Sequence, residues 1–324
     1  MQSQHKVVES LHKWNVVLCA LHGLSAIAVG YIFSYNTNAR IIDSYRGSIP
    51  SDLIHPTIDC NGTGAVSCPQ KYSVTPIDRC KSIDFPLVCK KMASFDPSTL
   101  LISFFLITCL AHFFYALNIG NFYTNAVLKQ GWNPYRWVEY SISAAIMIFL
   151  ISLIDGERNL NAATLLAVMT AVTQYQGFIV ENNFLFKNLD SLSPDHSKII
   201  WRNVHTATFS GWLLFAGVWV ILFKNFFGVL SDANNIILQP SDPKVKIPIW
   251  VYGVVLTQAL NFAFFGFVQQ RQIKNFTMKD KTQIKPYYHF EKQYMTLSFS
   301  AKFILGAFVT YGIIQRAKGA GCSS

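Results

Sequence analysis

Long unbroken apolar runs dominate this chain, rather than the strict alternation of half-buried strands. Seven runs approach the twenty residues a helix needs to cross a bilayer. They predict helices over about 14–35, 99–119, 134–154, 160–182, 204–227, 247–268 and 294–315. The first run has no small-residue cleavage site, so a retained helix is expected rather than a signal peptide. Residues 36–98 break the pattern. Pro50, Pro56, Pro69, Pro76, Pro86 and Pro97 argue against a helix there and for short strands or a hairpin cap. No repeat is evident. The expectation is an all-α membrane protein, residues 1–324 forming one seven-helix bundle with a single long loop.

Composition agrees with the pattern. The chain is 51% hydrophobic and 14% charged, against about a quarter charged in an average soluble domain. The net charge of +10 is therefore not a nucleic-acid signal, and its distribution reads as orientation. Lys6, Lys13, Lys129, Arg136, Lys198, Arg202 and the basic stretch from Arg271 to Lys292 fall on one side. Fewer basic residues, such as Arg158, Lys224 and Arg316, fall on the other. Positive charge marks the cytoplasmic side, so the N-terminus is expected inside and the C-terminus outside. The 36–98 loop is then extracellular. Cys60, Cys68, Cys80 and Cys89 within it predict two disulfides, with three possible connectivities. Asn61-Gly62-Thr63 is a glycosylation sequon. Cys19 and Cys109 lie inside spans and read as packing residues. The spacings fit no metal site, and no enzymatic reaction is expected. The partner implied directly is membrane lipid, and the basic 271–292 stretch fits an anionic leaflet.

Within the apolar runs a few ionisable side chains stand out. Lys302 is the only charge between Met295 and Gln315. A lysine in hydrocarbon costs several kcal/mol and marks a functional site by default. Burial also frees its amine as a nucleophile toward an aldehyde. At about 1.5 Å per residue, Lys302 and His22 lie roughly 12 Å into their helices, His112 roughly 10 Å and Glu139 roughly 8 Å. Four helices thus contribute to one layer: an amine, a carboxylate counterion and two histidines. Ser143 shares the Glu139 face and Ser298 the Lys302 face, one turn away in each case. Two blander readings compete. Glu139 pairs with Arg136 at the interface, and Glu181 is an interfacial charge at the end of the fourth helix.

The string from Asn133 to Ala144 (Asn-Pro-Tyr-Arg-Trp-Val-Glu-Tyr-Ser-Ile-Ser-Ala) resembles the third helix of heliorhodopsins. Ser298-Phe-Ser-Ala-Lys302 resembles their retinal-binding helix. Leu110-Ala-His112, Trp14-Asn15 with His22, and Leu160-Asn-Ala-Ala-Thr-Leu with Gly177 and Glu181 resemble three others. The inverted orientation inferred from charge is also the family's. The resemblance implies all-trans retinal bound to Lys302 as a protonated Schiff base, with Glu139 as counterion and Ser298 and Ser143 tuning the pair. It implies a pocket of Tyr140, Gln174, Gly177, Trp212, Phe215, Gly217, Asn261, Phe262 and Phe265. His22 and His112 would lie in a polar cavity on the cytoplasmic side, with Glu181 a candidate gate or proton acceptor. It further implies a homodimer, an unidentified cytoplasmic signalling partner and a slow photocycle. The long, cysteine-rich first loop departs from many prokaryotic members and fits a plasma membrane reached by the secretory route.

A light sensor is the expected function. An outward proton pump places a second carboxylate about three turns along the third helix from the counterion. Here Ile146 and Leu150 occupy the corresponding stretch. The alternative expectation is light-driven or light-gated proton transport by the same chromophore.

Overall fold

The structure, a computed structural model, describes residues 2–34, 42–45, 57–58, 72–73, 91–128, 131–157, 159–183, 194–235, 249–276 and 287–319. Seven helices are long and apolar enough to cross a membrane. They are α1 (Gln2–Ser34), α2 (Pro97–Leu117), α3 (Pro134–Ile154), α4 (Leu160–Asn183), α5 (Pro194–Asn235), α6 (Ile249–Phe276) and α7 (Tyr287–Gly319). They pack as one bundle, with α1 against α2 and α7, α3 between α2 and α4, α4 against α5, and α6 against α7.

Two helix starts are written plainly in the chain. Asp96 caps α2, its Oδ1 accepting from the Ser98 amide at 2.9 Å, and Pro97 follows at the first turn. Asn133 caps α3, accepting from the Arg136 amide at 3.1 Å, with Pro134 next. The connection between α2 and α3 is irregular. It holds a short 3-10 turn (Ile119–Asn121) and a π-helical turn (Tyr123–Leu128). Asn118 and Asn121 take φ of 43° and 58°, a region that disfavours most side chains.

Several helices outrun the expected spans. α5 covers far more than 204–227, and α7 begins at Tyr287 rather than 294. Hydropathy registers the apolar middle of a helix. The first turns of α7 are largely polar, with Glu291 and Tyr294 buried and Tyr288 and Lys292 exposed, so they escaped that signal. Depths counted from the predicted ends shift accordingly.

In the loop between α1 and α2, β1 (Ile42–Tyr45) pairs antiparallel with β4 (Lys91–Phe95), and β2 (Thr57–Ile58) with β3 (Tyr72–Ser73). Short strands thus replace helix where the prolines cluster. Cys60, Asn61, Cys68, Cys80 and Cys89 lie outside the described residues. Cys19 and Cys109 meet across α1 and α2 with sulfurs 3.4 Å apart.

The bundle has two unlike halves. On the side where α1 ends, Phe104, Ile148, Leu150, Ile151, Leu222, Val254 and Leu305 are fully buried in one apolar cluster. On the side where α1 begins, buried polar side chains such as Asn15, His112, Arg136, Glu181 and Glu291 are interleaved with smaller apolar clusters. Large apolar residues such as Ile27, Phe209 and Leu213 face outward, as lipid-facing positions do.

Candidate functional site

Lys302, on α7, is 2% exposed. Its Nζ donates to Glu139 Oε1 at 2.9 Å and to Ser298 Oγ at 2.8 Å. Thr108 of α2 donates to the same Glu139 oxygen. A buried ion pair survives only when its partners are well satisfied, and here two hydroxyls complete the pair. Tyr140 lies under the amine, its ring centroid 5.3 Å from Nζ, and its hydroxyl donates to the Tyr294 carbonyl. Ser143 is buried beside the pair, acts on the Glu139 carboxylate and lines the cavity at Lys302.

The two histidines stack beside this pair. The rings of His22 and His112 are nearly parallel, with centroids 5.8 Å apart. His112 Nδ1 lies 2.8 Å from Asn15 Oδ1. Both nitrogens of His22 are buried without a partner. The Lys302 amine acts electrostatically on both rings and the Glu139 carboxylate on His112, so the four side chains form one electrostatic group, as their separate depths in four helices had pointed to.

Two adjoining cavities lead away from Lys302. One is lined by Tyr140, Ser143, Gln174, Phe262, Phe265, Ser298 and Lys302. The other shares Gln174, Phe262 and Phe265 and continues past Gly177 to Trp212 and Phe215. It occupies the space where α5 and α6 touch only sparingly. The result is a channel of aromatic side chains interspersed with Thr170, Thr173, Gln174, Gln176, Thr208 and Gln269, with one primary amine at its end. Two expected lining residues fall outside it. A Cβ on Gly217 would meet Met169 at 3.2 Å, so its place is in the packing of α5 on α4. Asn261 accepts from Ser300 and donates to the Thr257 carbonyl, which holds its side chain on α6 and α7. Gly177 has a sharper reason. The Trp137 ring lies where its Cβ would be, 2.2 Å away.

A second polar cluster sits where α1 begins. Arg136 bridges Glu181 of α4 and Glu291 of α7, and all three are no more than 3% exposed. Glu181 also accepts from Trp137 Nε1, Gln272 Nε2 and the Asn133 amide. Glu291 accepts from Tyr123, Tyr287 and Asn133 Nδ2. Two carboxylates against one guanidinium leave a negative excess, which the N-terminal dipole of α3 partly offsets.

This cluster corrects three expectations. Glu181 is a buried ion-pair partner, not an interfacial charge. Arg136 pairs with Glu181 and Glu291 rather than with Glu139. Arg136 is also buried, so it drops out of the interfacial cations that set orientation. Glu291 was missed because it lies just outside the apolar run that predicted the last helix.

The site is thus an intramembrane lysine paired to a third-helix carboxylate at the end of a channel. A family model described as Heliorhodopsin matches residues 79–314. The chain belongs to the heliorhodopsin family. No curated protein matches it. Membership makes this heliorhodopsin an integral, multi-pass membrane protein of the rhodopsin type and implies a retinal chromophore.

The residues present fit that group. An elongated apolar polyene needs an aromatic channel, and its aldehyde needs an amine. The channel and Lys302 supply both.

Proposed function

We propose that this heliorhodopsin is a light sensor carrying all-trans retinal on Lys302, with Glu139 as counterion. The observation that carries the reading is the position of Lys302: ion-paired to Glu139 at the head of two adjoining aromatic cavities. When bound through a protonated Schiff base, retinal supplies visible absorption and a light-driven change of shape.

The protein's own residues do the rest. Glu139 stabilises positive charge at the Lys302 nitrogen, and Thr108 fixes the carboxylate that does so. Ser298 accepts from the same nitrogen. Trp212, Phe215, Phe262 and Phe265 exclude water and hold the polyene in place. His22 and His112, neutral imidazoles beside the pair, take up or relay the proton that light displaces. A changed charge there is then felt on the side where α1 begins. That side is proposed to be cytoplasmic, on the balance of basic residues, and would meet the signalling partner of a plasma-membrane homodimer.

The test is reconstitution. Expression with all-trans retinal is expected to give a visible chromophore, and Lys302→Ala is expected to abolish it while the apoprotein remains folded. A colourless wild type would refute the reading.

A further inference from the structure

The two polar clusters are joined. Asn15 Nδ2 donates to the Leu11 carbonyl at 3.1 Å, which only the amide nitrogen can do. Its Oδ1 is therefore the atom facing His112, and an amide oxygen only accepts. His112 must then carry its hydrogen on Nδ1, at 2.8 Å from that oxygen. Its Nε2 is left as the basic nitrogen. On the far side, the Asn15 side chain acts on the Tyr123 hydroxyl. Tyr123 donates to Glu291 Oε1 at 3.2 Å. Asn15 and Tyr123 are 0% and 2% exposed.

The element that carries Tyr123 is unusual. It begins the π-helical turn, directly after the two positive-φ asparagines of the α2–α3 connection. π-turns and strained backbone gather at sites that change conformation. Asn118 ties this turn down, donating to Thr124 Oγ1 and accepting from its amide.

We propose that Asn15 and Tyr123 are positioning residues. Asn15 fixes the His112 tautomer so that Nε2 is the proton acceptor. Tyr123 transmits the effect of the charge His112 then gains to the Arg136–Glu181–Glu291 cluster. The inference rests on the function proposed above. In the step itself, one proton leaves Lys302 Nζ and one N–H bond forms at His112 Nε2. The electron pair of the broken bond stays on Lys302. His112 becomes cationic, its Nδ1–H bond to Asn15 strengthens, and the pull is felt through Tyr123 at Glu291.

Histidine-labelled protein in lipid nanodiscs, with and without all-trans retinal, tests this. Nitrogen-15 spectra in the dark should show His112 as the Nδ1–H tautomer in both forms. Asn15→Val should lose that preference. Asn15→Asp, which keeps an acceptor at the same place, should retain it. Light-minus-dark infrared spectra should show a perturbed Glu291 carboxylate, assigned by its loss in Glu291→Gln. Tyr123→Phe should remove that signal too. An Nε2–H tautomer in the dark overturns the proposal, as does a Glu291 signal that persists in Tyr123→Phe. Because the tautomer is read without retinal as well, a chain that binds no retinal sinks the functional reading separately from this one.

Discussion

Single side chains decide most of the chemistry. Lys302 and Glu139 were legible in the sequence because a charge in an apolar run is costly and marks a site by default, although Glu139 also had a blander reading as an interfacial partner of Arg136. On the proposed reading, the carboxylate stabilises the dark-state cation more than the excited state. Glu139→Gln in the retinal-loaded protein should therefore move the absorption maximum to longer wavelength. An unmoved maximum would assign the counterion elsewhere. Ser143 was expected in the same cluster, and it is there, acting on the Glu139 carboxylate and lining the cavity at Lys302. Its spacing of one turn from Glu139 sufficed to place it on that face. Asp155 closes α3 and makes a second case. It is 3% exposed, and neither of its oxygens has a hydrogen-bond partner among the described residues. Burial pushes its carboxyl up to about 8, and Glu157 adds to the shift. The folded value lies above the unfolded one, near 4, so folding favours the protonated acid. That contribution is fully present below about pH 4 and is lost as pH rises through about 8. Asp155→Asn is expected to raise the melting temperature above pH 8 and to leave it nearly unchanged at pH 4. An equal effect at both pH values would show that Asp155 is neutral or paired throughout.

Between helices, the Arg136 cluster is the principal tie on the side where α1 begins. It joins α3, α4 and α7 and reaches α6 through Gln272. Removing one member of a buried ionic set typically costs about 3–5 kcal/mol, because the remaining charges lose their partner. Arg136→Gln should lower the melting temperature sharply. Adding Glu181→Gln and Glu291→Gln should recover much of the loss, since no buried charge is then left alone. Additive losses across the three substitutions would mean that the cluster does not act as a unit. The sequence disclosed its parts unevenly. Arg136 and Glu181 were visible but read as interfacial, because depth was counted from hydropathy ends. Glu291, Tyr123 and Asn133 gave no signal of this kind. They lie in polar turns, and only the tertiary fold buries them. The seven helices themselves were legible, since a span needs a long apolar run and little else.

Across the whole molecule, polarity is divided by depth. Starting from Lys302, buried hydrogen-bonding groups lead toward the side where α1 begins: His112, Asn15, Tyr123 and the Arg136 cluster. In the other direction lie Ile148, Leu150, Ile151, Leu222, Val254 and Leu305, all fully buried. Among the described residues, the one buried ionisable group on that side is Asp155, beyond this apolar layer. A proton crossing the layer would be stripped of hydrogen-bond partners, at a cost far above thermal energy. Charge displaced by light should therefore shuttle within the polar half and return. Voltage clamp of cells with confirmed surface expression should show at most a transient signal at light onset, and no stationary photocurrent at any holding potential. A sustained current would require a hydrated path through the apolar layer and would favour transport. In that case, polar substitution at Leu150 should increase the current and a bulkier apolar residue should reduce it. With no current in the wild type, the same polar substitution is the most direct way to ask whether this layer alone separates a sensor from a conductor.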